Sequence, residues 1–361
     1  MKIMSVVGAR PQFVKLGPIA RALSAHDEVE HIIVHTGQHY DPLLSDVFFR
    51  DLGIPTPDVN LGVGSGTHGR QTGAMLANMD GVLEEYRPDW VLAYGDTNST
   101  AAAALAAVKM QVKLAHLEAG LRSFNRSMPE EHNRVVTDHL ADLLLAPTQG
   151  AVDHLRDEGL AGRTVLVGDV MTDVCLATRD AVSGKPLSLP PGVDPTAAFV
   201  LATIHRAENT DNPDRLRAIL KALSAANVPV VLLAHPRLVA LSKKHGLPLT
   251  AGSMIASEPL AYPEMVRAVM AAAGVITDSG GLQKEAFLLR TPATTIRTET
   301  EWLDTLTDGW NILDPDLTKL QDVMTRPRPT AEQAQPFGDG HASDRAIQAI
   351  LEFANEERAE C

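Results

Sequence analysis

Cysteine is nearly absent from this sequence, because only Cys175 and Cys361 occur among its 361 residues. The two stand far apart in no metal-like spacing, so they give no disulfide framework and suit a reducing compartment. No apolar run approaches the ~20 residues that a membrane helix needs, and the short apolar start is too brief for a signal peptide. Basic residues are outnumbered, and the net charge of -13 argues against a general nucleic-acid binder. We therefore expect a cytoplasmic enzyme that engages neither a membrane nor a nucleic acid.

The composition and rhythm of the chain are those of a globular α/β protein. Its length suggests two domains, and 45% hydrophobic with 21% charged residues is normal for a soluble chain. Strand-like and helix-like segments alternate, which predicts doubly wound parallel sheets. Residues 183–195 carry four prolines and two glycines and form the predicted linker. The predicted fold is therefore two Rossmann-like domains, residues 1–180 and 196–340, with the active site in a cleft between them.

The most informative stretch is residues 90–134. Two apolar runs of strand type end in the carboxylates Asp96 and Glu118, and an Ala-rich helix candidate lies between them. A strand–helix–strand unit makes the strands parallel, so both carboxylates should lie at the sheet edge where open α/β sheets bind ligands. Glu130 and Glu131 follow; for Glu131 the stronger interpretation is an acid that faces solvent. Gathering carboxylates in one cleft is costly unless some are protonated, paired or used for proton transfer.

A predicted helix start in the first half suggests anion binding. Arg10 and Lys15 lie at or near this start, where cations are unfavourable unless an anion binds there. Two solvated surface cations are the alternative interpretation.

The second half offers a similar feature in residues 274–285. A strand leads through Ser279, Gly280 and Gly281 into a helix, and a serine cap with bare glycine N–H groups suits a phosphate. An ordinary capped helix is the alternative. His205 follows another strand of this half, and it either faces the acids or is a core histidine bonded to its own loop.

Metal and cofactor motifs are not found. His35 and His39 have the spacing of a helical metal pair, but Gly37 and the preceding strand indicate a loop, and no third ligand stands nearby. Residues 62–69 are glycine-rich but lack the Walker lysine and the dinucleotide-binding spacing. We therefore predict no metal and no cofactor.

Six blocks of sequence together carry a resemblance to a known family. They are Gly8-Ala-Arg-Pro-Gln-Phe-Val-Lys15, Gly95-Asp-Thr-Asn-Ser-Thr100, His116-Leu-Glu-Ala-Gly-Leu-Arg122, Pro129-Glu-Glu-His-Asn-Arg134, His205-Arg206 and Thr277-Asp-Ser-Gly-Gly-Leu-Gln-Lys-Glu285. In this order they resemble the non-hydrolysing UDP-N-acetylglucosamine (UDP-GlcNAc) 2-epimerases over nearly the whole chain. The resemblance implies the two-domain glycosyltransferase B fold, a homodimer, and a last helix at 341–361 that packs back on the first domain.

The resemblance also implies a reaction, the interconversion of UDP-GlcNAc and UDP-N-acetylmannosamine (UDP-ManNAc) by inversion at C2. UDP is eliminated to leave 2-acetamidoglucal and is then added back, which needs acid/base groups and donors for the leaving diphosphate. Transferred by motif, the catalytic residues are Asp96, Glu118, Glu130 and His205. The implied substrate or UDP contacts are Arg10, Lys15, Gln38, His39, Arg134, Arg206, Glu264, Ser279, Gly280, Gly281, Glu285 and Arg297.

Some positions depart from the enterobacterial pattern. Trp302 stands where an arginine serves substrate, and the segment between Glu118 and Glu130 is shorter. These features look more like the branch that includes epimerases of UDP-diacetamido-uronic acids. Some bacterial members bind a second UDP-GlcNAc as activator, and the positions that match this site are Gln38, His39, Arg70 and Gln71.

Three other functions stay open at this point. A hydrolysing 2-epimerase would release free ManNAc, although its members usually begin with a motif other than Arg10-Pro11-Gln12-Phe13. A glycosyltransferase of the same fold would need an acceptor site, and nothing in the sequence marks one. A nucleotide-sugar-binding regulator would have no need of the three acids and His205.

Overall fold

The structure, a computed structural model, describes residues 1–38, 54–320 and 326–360. The chain divides into two compact units, one formed by residues 1–174 with 335–361 and the other by residues 175–334. Among the predicted site residues, His39 lies outside the described part.

The first unit is built on a seven-stranded sheet in which every pair of neighbours is parallel. Its strands are β1 (Lys2–Val7), β2 (Glu30–His35), β3 (Val59–Asn60), β4 (Trp90–Tyr94), β5 (Lys113–Leu117), β6 (Leu143–Ala146) and β7 (Thr164–Leu166). All five residues of β4 are buried, as expected of a strand covered on both faces. The order is β3-β2-β1-β4-β5-β6-β7, so the winding direction reverses between β1 and β4. Open α/β sheets bind their ligands at such a point.

Among the described residues before 183, six helices accompany this sheet, the last of which leads into the second unit. They are α1 (Arg10–Leu23), α2 (His68–Tyr86), α3 (Asn98–Lys109), α4 (Pro129–Leu140), α5 (Gln149–Asp157) and α6 (Val170–Val182). Thr97 caps α3 by accepting a hydrogen bond from the N–H of Thr100. The alanines of α3 are buried against the sheet and help to form one of its two apolar cores.

The second unit repeats this design with six parallel strands. The strands are β8 (Val200–Thr203), β9 (Val230–Leu233), β10 (Met254–Ser257), β11 (Gly274–Thr277), β12 (Ala293–Thr295) and β13 (Asn311–Leu313). Their order is β10-β9-β8-β11-β12-β13, so the winding reverses between β8 and β11. The helices are α7 (Ala207–Thr210), α8 (Pro213–Ser224), α9 (Pro236–His245), α10 (Tyr262–Ala271) and α11 (Gly280–Leu288).

The last helix, α12 (Ala342–Glu360), packs on α1 in the first unit. Its residues Ala346, Ile347 and Ile350 are buried in the same core as Leu16 and Ile19 of α1. Asp173 accepts hydrogen bonds from the N–H groups of Ala342 and Ser343, at 2.9 and 2.7 Å, and so satisfies two donors of the first turn.

Two parallel sheets with flanking helices confirm the predicted doubly wound α/β class. Helix α4 begins at Pro129. Proline suits the first helical position, and Glu130 and Glu131 favour the first turn through the helix dipole. The short strands β3, β10 and β13 are absent from the sequence prediction, because two to four residues give no clear period.

Candidate active site

The carboxylates Asp96 and Glu118 follow neighbouring strands of the first sheet. Strand β4 pairs in parallel with β5, and Tyr94 stands opposite Leu117. Asp96 and Glu118 therefore lie just beyond the carboxyl ends of these strands, as the sequence predicts. Glu118 has a φ of +73°, a left-handed backbone conformation that residues other than glycine rarely adopt. Such strain persists only where the surrounding structure holds it, and it is concentrated at functional sites.

Glu118 forms an ion pair with Lys15 of α1, and both side chains are largely buried. Burial alone would lower the pKa of Lys15, but Glu118, with smaller contributions from Asp169 and Asp96, raises it above its ordinary value. Gly95 makes room for the pair, since a β-carbon there would lie 3.1 Å from a Glu118 oxygen and 3.4 Å from the Lys15 Nζ. Its φ of +61° also favours glycine. Lys15 is thus a partner of an acid in this structure rather than a solvated cation.

Asp96 is paired with a cation of its own. The guanidinium of Arg134 in α4 donates to Asp96 Oδ2 from Nη2 at 2.6 Å and from Nε at 3.0 Å. Arg134 also donates to Glu131 at 2.8 Å. Two charge-assisted hydrogen bonds to one oxygen balance the charge of Asp96 and tie its carboxylate to α4.

The prediction that Glu131 faces solvent is wrong, because Glu131 is buried and Glu130 is the more open of the two. Glu131 accepts hydrogen bonds from the N–H groups of Ser123 and Phe124, both at 2.9 Å, and from Ser123 Oγ. Burial alone would raise the pKa of Glu131, but these bonds and Arg134 hold it below its ordinary value. Glu130 forms no ion pair or hydrogen bond with any residue that the structure describes. It is therefore a carboxylate available to a ligand.

The start of α1 differs from the expected anion clamp. Gln12 Oε1 accepts hydrogen bonds from the N–H groups of Gly8 and Ala9, at 2.8 and 2.9 Å. The other end of the Gln12 amide donates to the Tyr94 carbonyl at 2.8 Å. The backbone donors before this helix are therefore already used by the protein, and Arg10 is the first residue of the helix itself.

His205 and Arg206 lie just beyond β8, at the reversal point of the second sheet. His205 Nδ1 lies 3.0 Å from Asp278 Oδ1, and Asp278 also accepts hydrogen bonds from the backbone N–H groups of His205 and Arg206. Burial alone would raise the pKa of Asp278, but the bonds from His205 and Arg206 hold it below its ordinary value. The His205 ring keeps 36% of its surface exposed, so it is oriented from one side and open on the other. The alternative of a core histidine is wrong.

Sequence reasoning missed Asp278 as a site residue. Its signal was its position, directly after β11 and next to the capping residue Ser279, at the same reversal point as His205.

Helix α11 begins with the predicted serine and glycines. Ser279 Oγ caps the helix by accepting from the N–H of Leu282 at 3.4 Å. The N–H groups of Gly280 and Gly281 donate to no acceptor among the described residues. These free donors sit at the positive end of the helix dipole, which favours an anion.

A carboxylate of the protein already lies against this helix start. A β-carbon on Gly280 would lie 2.4 Å from Glu301 Oε1, so Glu301 approaches the bare backbone closely. The buried Arg297 donates to Glu301 Oε2 at 2.8 Å, and Arg206 Nη2 lies 3.9 Å from Glu301 Oε1. Two arginines and a helix start therefore converge on one anionic group.

Glu285 stands one turn inside α11 and has a different environment. Burial raises its pKa to about 7, although Tyr262 and Lys284 act in the opposite direction. A carboxyl group in this condition can exchange between donor and acceptor roles near neutral pH.

The remaining predicted contacts have local partners or lie apart. Gln38 Oε1 accepts from the N–H and Oγ of Ser99, and Gln71 donates to the Gln38 carbonyl at 3.3 Å. Arg70 is exposed on α2. Glu264 accepts from the N–H of Ala261 at 3.3 Å and so acts as part of the cap of α10. Residues 1–38, 54–320 and 326–360 contain no group of three or more metal-ligating side chains.

The two sheets define the class of this protein. Acids stand at the strand ends of one doubly wound sheet and an anion-ready helix start at the other, which is the architecture of the glycosyltransferase B fold. The profile of the UDP-N-acetylglucosamine 2-epimerase family matches residues 21–351. The chain therefore belongs to that family, and the resemblance carried by the six blocks is confirmed.

Individual relatives cover almost the whole chain. UDP-2,3-diacetamido-2,3-dideoxy-D-glucuronate 2-epimerase of Pseudomonas aeruginosa is 43% identical, over 98% of this chain and 100% of its own. UDP-N-acetylglucosamine 2-epimerase of Methanocaldococcus jannaschii is 38% identical, over 97% and 99%. A crystal structure of the UDP-GlcNAc 2-epimerase from M. jannaschii, in complex with UDP-GlcNAc and UDP, aligns with a TM-score of 0.81 at 36% identity, over 98% of this chain and 100% of that one. No helix among the described residues is long and apolar enough to cross a membrane.

Proposed function

We propose that this protein reversibly converts UDP-GlcNAc into UDP-ManNAc without hydrolysing it. The observation that carries the proposal is the pair of acids at adjacent strand ends, each held by its own cation: Asp96 by Arg134 and Glu118 by Lys15. Two charge-balanced carboxylates at the reversal point of a sheet suit proton transfer to and from a carbon acid.

The reaction proceeds in two steps, an elimination and a re-addition. A base removes the proton from C2 while the bond from C1 to the diphosphate oxygen breaks, and the oxygen keeps the electron pair. This elimination is anti and leaves 2-acetamidoglucal with a C1–C2 double bond. A proton then returns to C2 on the other face, and the UDP oxygen bonds to C1 again. Asp96, Glu118 and Glu130 are the acids proposed to accept and return the proton.

The second unit is proposed to anchor UDP. Ser279, Gly280 and Gly281 supply a helix start for phosphate, and Arg206 and Arg297 add positive charge. His205, oriented by Asp278, is proposed to act near the leaving diphosphate. Glu285 is proposed to hold a ribose or sugar hydroxyl. Arg10, Gln38, His39 and Glu264 stay proposed substrate contacts, and Arg70 and Gln71 proposed activator contacts.

Deuterium exchange tests this function directly. The protein is incubated with UDP-GlcNAc in deuterated water, and nucleotide sugars are separated and examined by NMR. We expect UDP-ManNAc with deuterium at C2 and deuterium washed into the remaining UDP-GlcNAc. Label only in free ManNAc would indicate a hydrolysing epimerase, and absence of label would contradict a 2-epimerase that acts on UDP-GlcNAc. A homodimer, implied by the resemblance alone, is to be checked by light scattering.

A related sugar is the second candidate for the substrate. Trp302 in place of the family arginine and the 43% identity to the P. aeruginosa enzyme favour a UDP-2,3-diacetamido-2,3-dideoxy-glucuronic acid. The two candidates share the elimination chemistry and differ at C3 and C6 of the sugar. Measuring kcat/KM for both substrates under the same conditions decides between them.

A further inference from the structure

His116, in the middle of β5, is fully buried and lies between two acceptors. Its Nδ1 lies 2.6 Å from Asp138 Oδ1, and its Nε2 lies 2.7 Å from the carbonyl oxygen of Gly95. A neutral imidazole has only one N–H and could serve one of these partners. The carbonyl oxygen of Gly95 can only accept, so Nε2 of the ring carries a proton and donates to it, while Nδ1 faces Asp138.

Each partner of His116 is connected to a segment that carries a proposed catalytic acid. Gly95 directly precedes Asp96, and the Gly95 carbonyl is bonded to the ring of His116. Asp138 accepts a second hydrogen bond from the N–H of Gly120, at 3.1 Å. The strained Glu118 therefore lies between His116 and Gly120, two residues that share Asp138 as a partner.

The charges around the ring alternate along one buried chain. Asp138 Oδ2 also accepts from Arg122 at 2.6 Å, and Arg122 forms a bidentate pair with Glu158 at 2.7 and 2.8 Å. In the described part of the chain, these are the charged groups that reach His116 through Asp138 and Arg122. A buried chain with every member paired is rigid, whereas a broken one leaves a charge without a partner.

We infer that His116 is a positioning residue for the proton-transfer acids. Held by Asp138, the ring clamps the Gly95 carbonyl, and this contact sets the backbone from which Asp96 projects, while the same aspartate stabilises the turn that holds Glu118. The inference rests on the proposed function, since positioning is defined here by its effect on the proposed reaction. It concerns no contact between His116 and substrate.

Two amide substitutions separate the contacts of the ring. In His116→Gln the side-chain N–H₂ reaches the place of Nε2 and can still donate to Gly95. In His116→Asn it reaches the place of Nδ1 and can donate only to Asp138. Asn is also one methylene shorter than Gln, so the thermal stability of both variants is measured to separate a loss of packing from a loss of position. His341→Asn, an exposed change just before α12 in the same unit, is the control.

We expect His116→Asn to lower kcat for C2 exchange by about 100-fold, the effect of displacing a catalytic group by ~1 Å. His116→Gln should lose about tenfold or less, and UDP affinity should stay within twofold in both variants. Equal losses in kcat that follow the loss of thermal stability would overturn the inference.

A readout that does not need activity accompanies these assays. Long-range ¹H–¹⁵N spectra of ¹⁵N-histidine protein, assigned with His116→Gln, should show that Nε2 of His116 is protonated, as its contact with the Gly95 carbonyl requires. An unprotonated Nε2 would overturn the inference whatever the kinetics. Failure of the unmodified protein to exchange deuterium would overturn the proposed function, and the role in proton transfer with it, while leaving the ring assignment measurable.

Discussion

The two sheets end in carboxylates of opposite character. In the first unit Asp96 and Glu118 lie beside Arg134 and Lys15, and their charge is balanced by the protein itself. In the second unit the partly buried Glu285 has a pKa raised to about 7, and the arginines lie instead around a helix start. The first unit thus holds its acids in fixed orientations beside cations, whereas the second gathers cations around a helix start. This difference supports a division between proton transfer and nucleotide anchoring.

The strongest test of this division between the two units is to replace one acid of the first unit by its amide. Asp96→Asn keeps the shape of the side chain but removes a proton acceptor, so turnover should fall by about 10²–10⁴-fold. UDP affinity, measured by calorimetry, should stay within about twofold, since the proposed anchor is elsewhere. Asp80→Asn, exposed on α2, is the matched control and should leave both unchanged. Unchanged turnover of the Asp96 variant would remove this acid from the mechanism.

The second prediction concerns the helix start that is proposed to bind UDP. Ser279→Trp places a large ring at the start of α11 and should weaken UDP binding by about 100-fold or more. Ser279→Ala tests the hydroxyl by itself: it costs about 1 kcal/mol of stability through the lost cap and should weaken UDP binding less than the tryptophan does. Normal affinity in the tryptophan variant would mean that this helix start is merely structural.

The smallest effect concerns stability and pH. The pKa of Glu285 is raised in the folded protein, so its contribution to stability is present in full below the ordinary value of 4.5 and is lost as pH rises to about 7. Glu285→Gln should remove this dependence, flattening the change in Tm between pH 5 and 8 by about 2–4 °C, the effect of ~1 kcal/mol in a unit of this size. Thermal melts of both proteins measure it; identical pH profiles would contradict a raised pKa.

Much of this arrangement could be predicted from short patterns. An apolar run that ends in a carboxylate places the acid at a strand end, and for parallel strands this edge is shared, which located Asp96, Glu118 and Ser279. The start of α11 was equally readable from its serine cap followed by two glycines. In each case the chemistry and its structural position lie within a few residues of each other.

What could not be predicted depends on pairs that are distant in sequence. Glu131 is buried because the loop at residues 123–124 returns to bond with it, a contact that no periodicity encodes. The His116–Asp138 pair spans 22 residues and the His205–Asp278 pair 73. Gln12 was passed over because a glutamine near a helix start normally faces solvent, whereas here it fills the donors of Gly8 and Ala9.

Glu301 gives the second unit an internal counter-ion. Under the proposed function an incoming diphosphate exchanges with a negative charge that Arg297 already holds. The net charge around the arginines then changes by less than the charge of the diphosphate. We therefore expect ionic strength to weaken binding less than it would at a cationic pocket without a counter-ion. Because Glu301 already pairs with the arginines, other anions should bind them weakly. Selective binding is then limited to groups that can displace the Glu301 carboxylate.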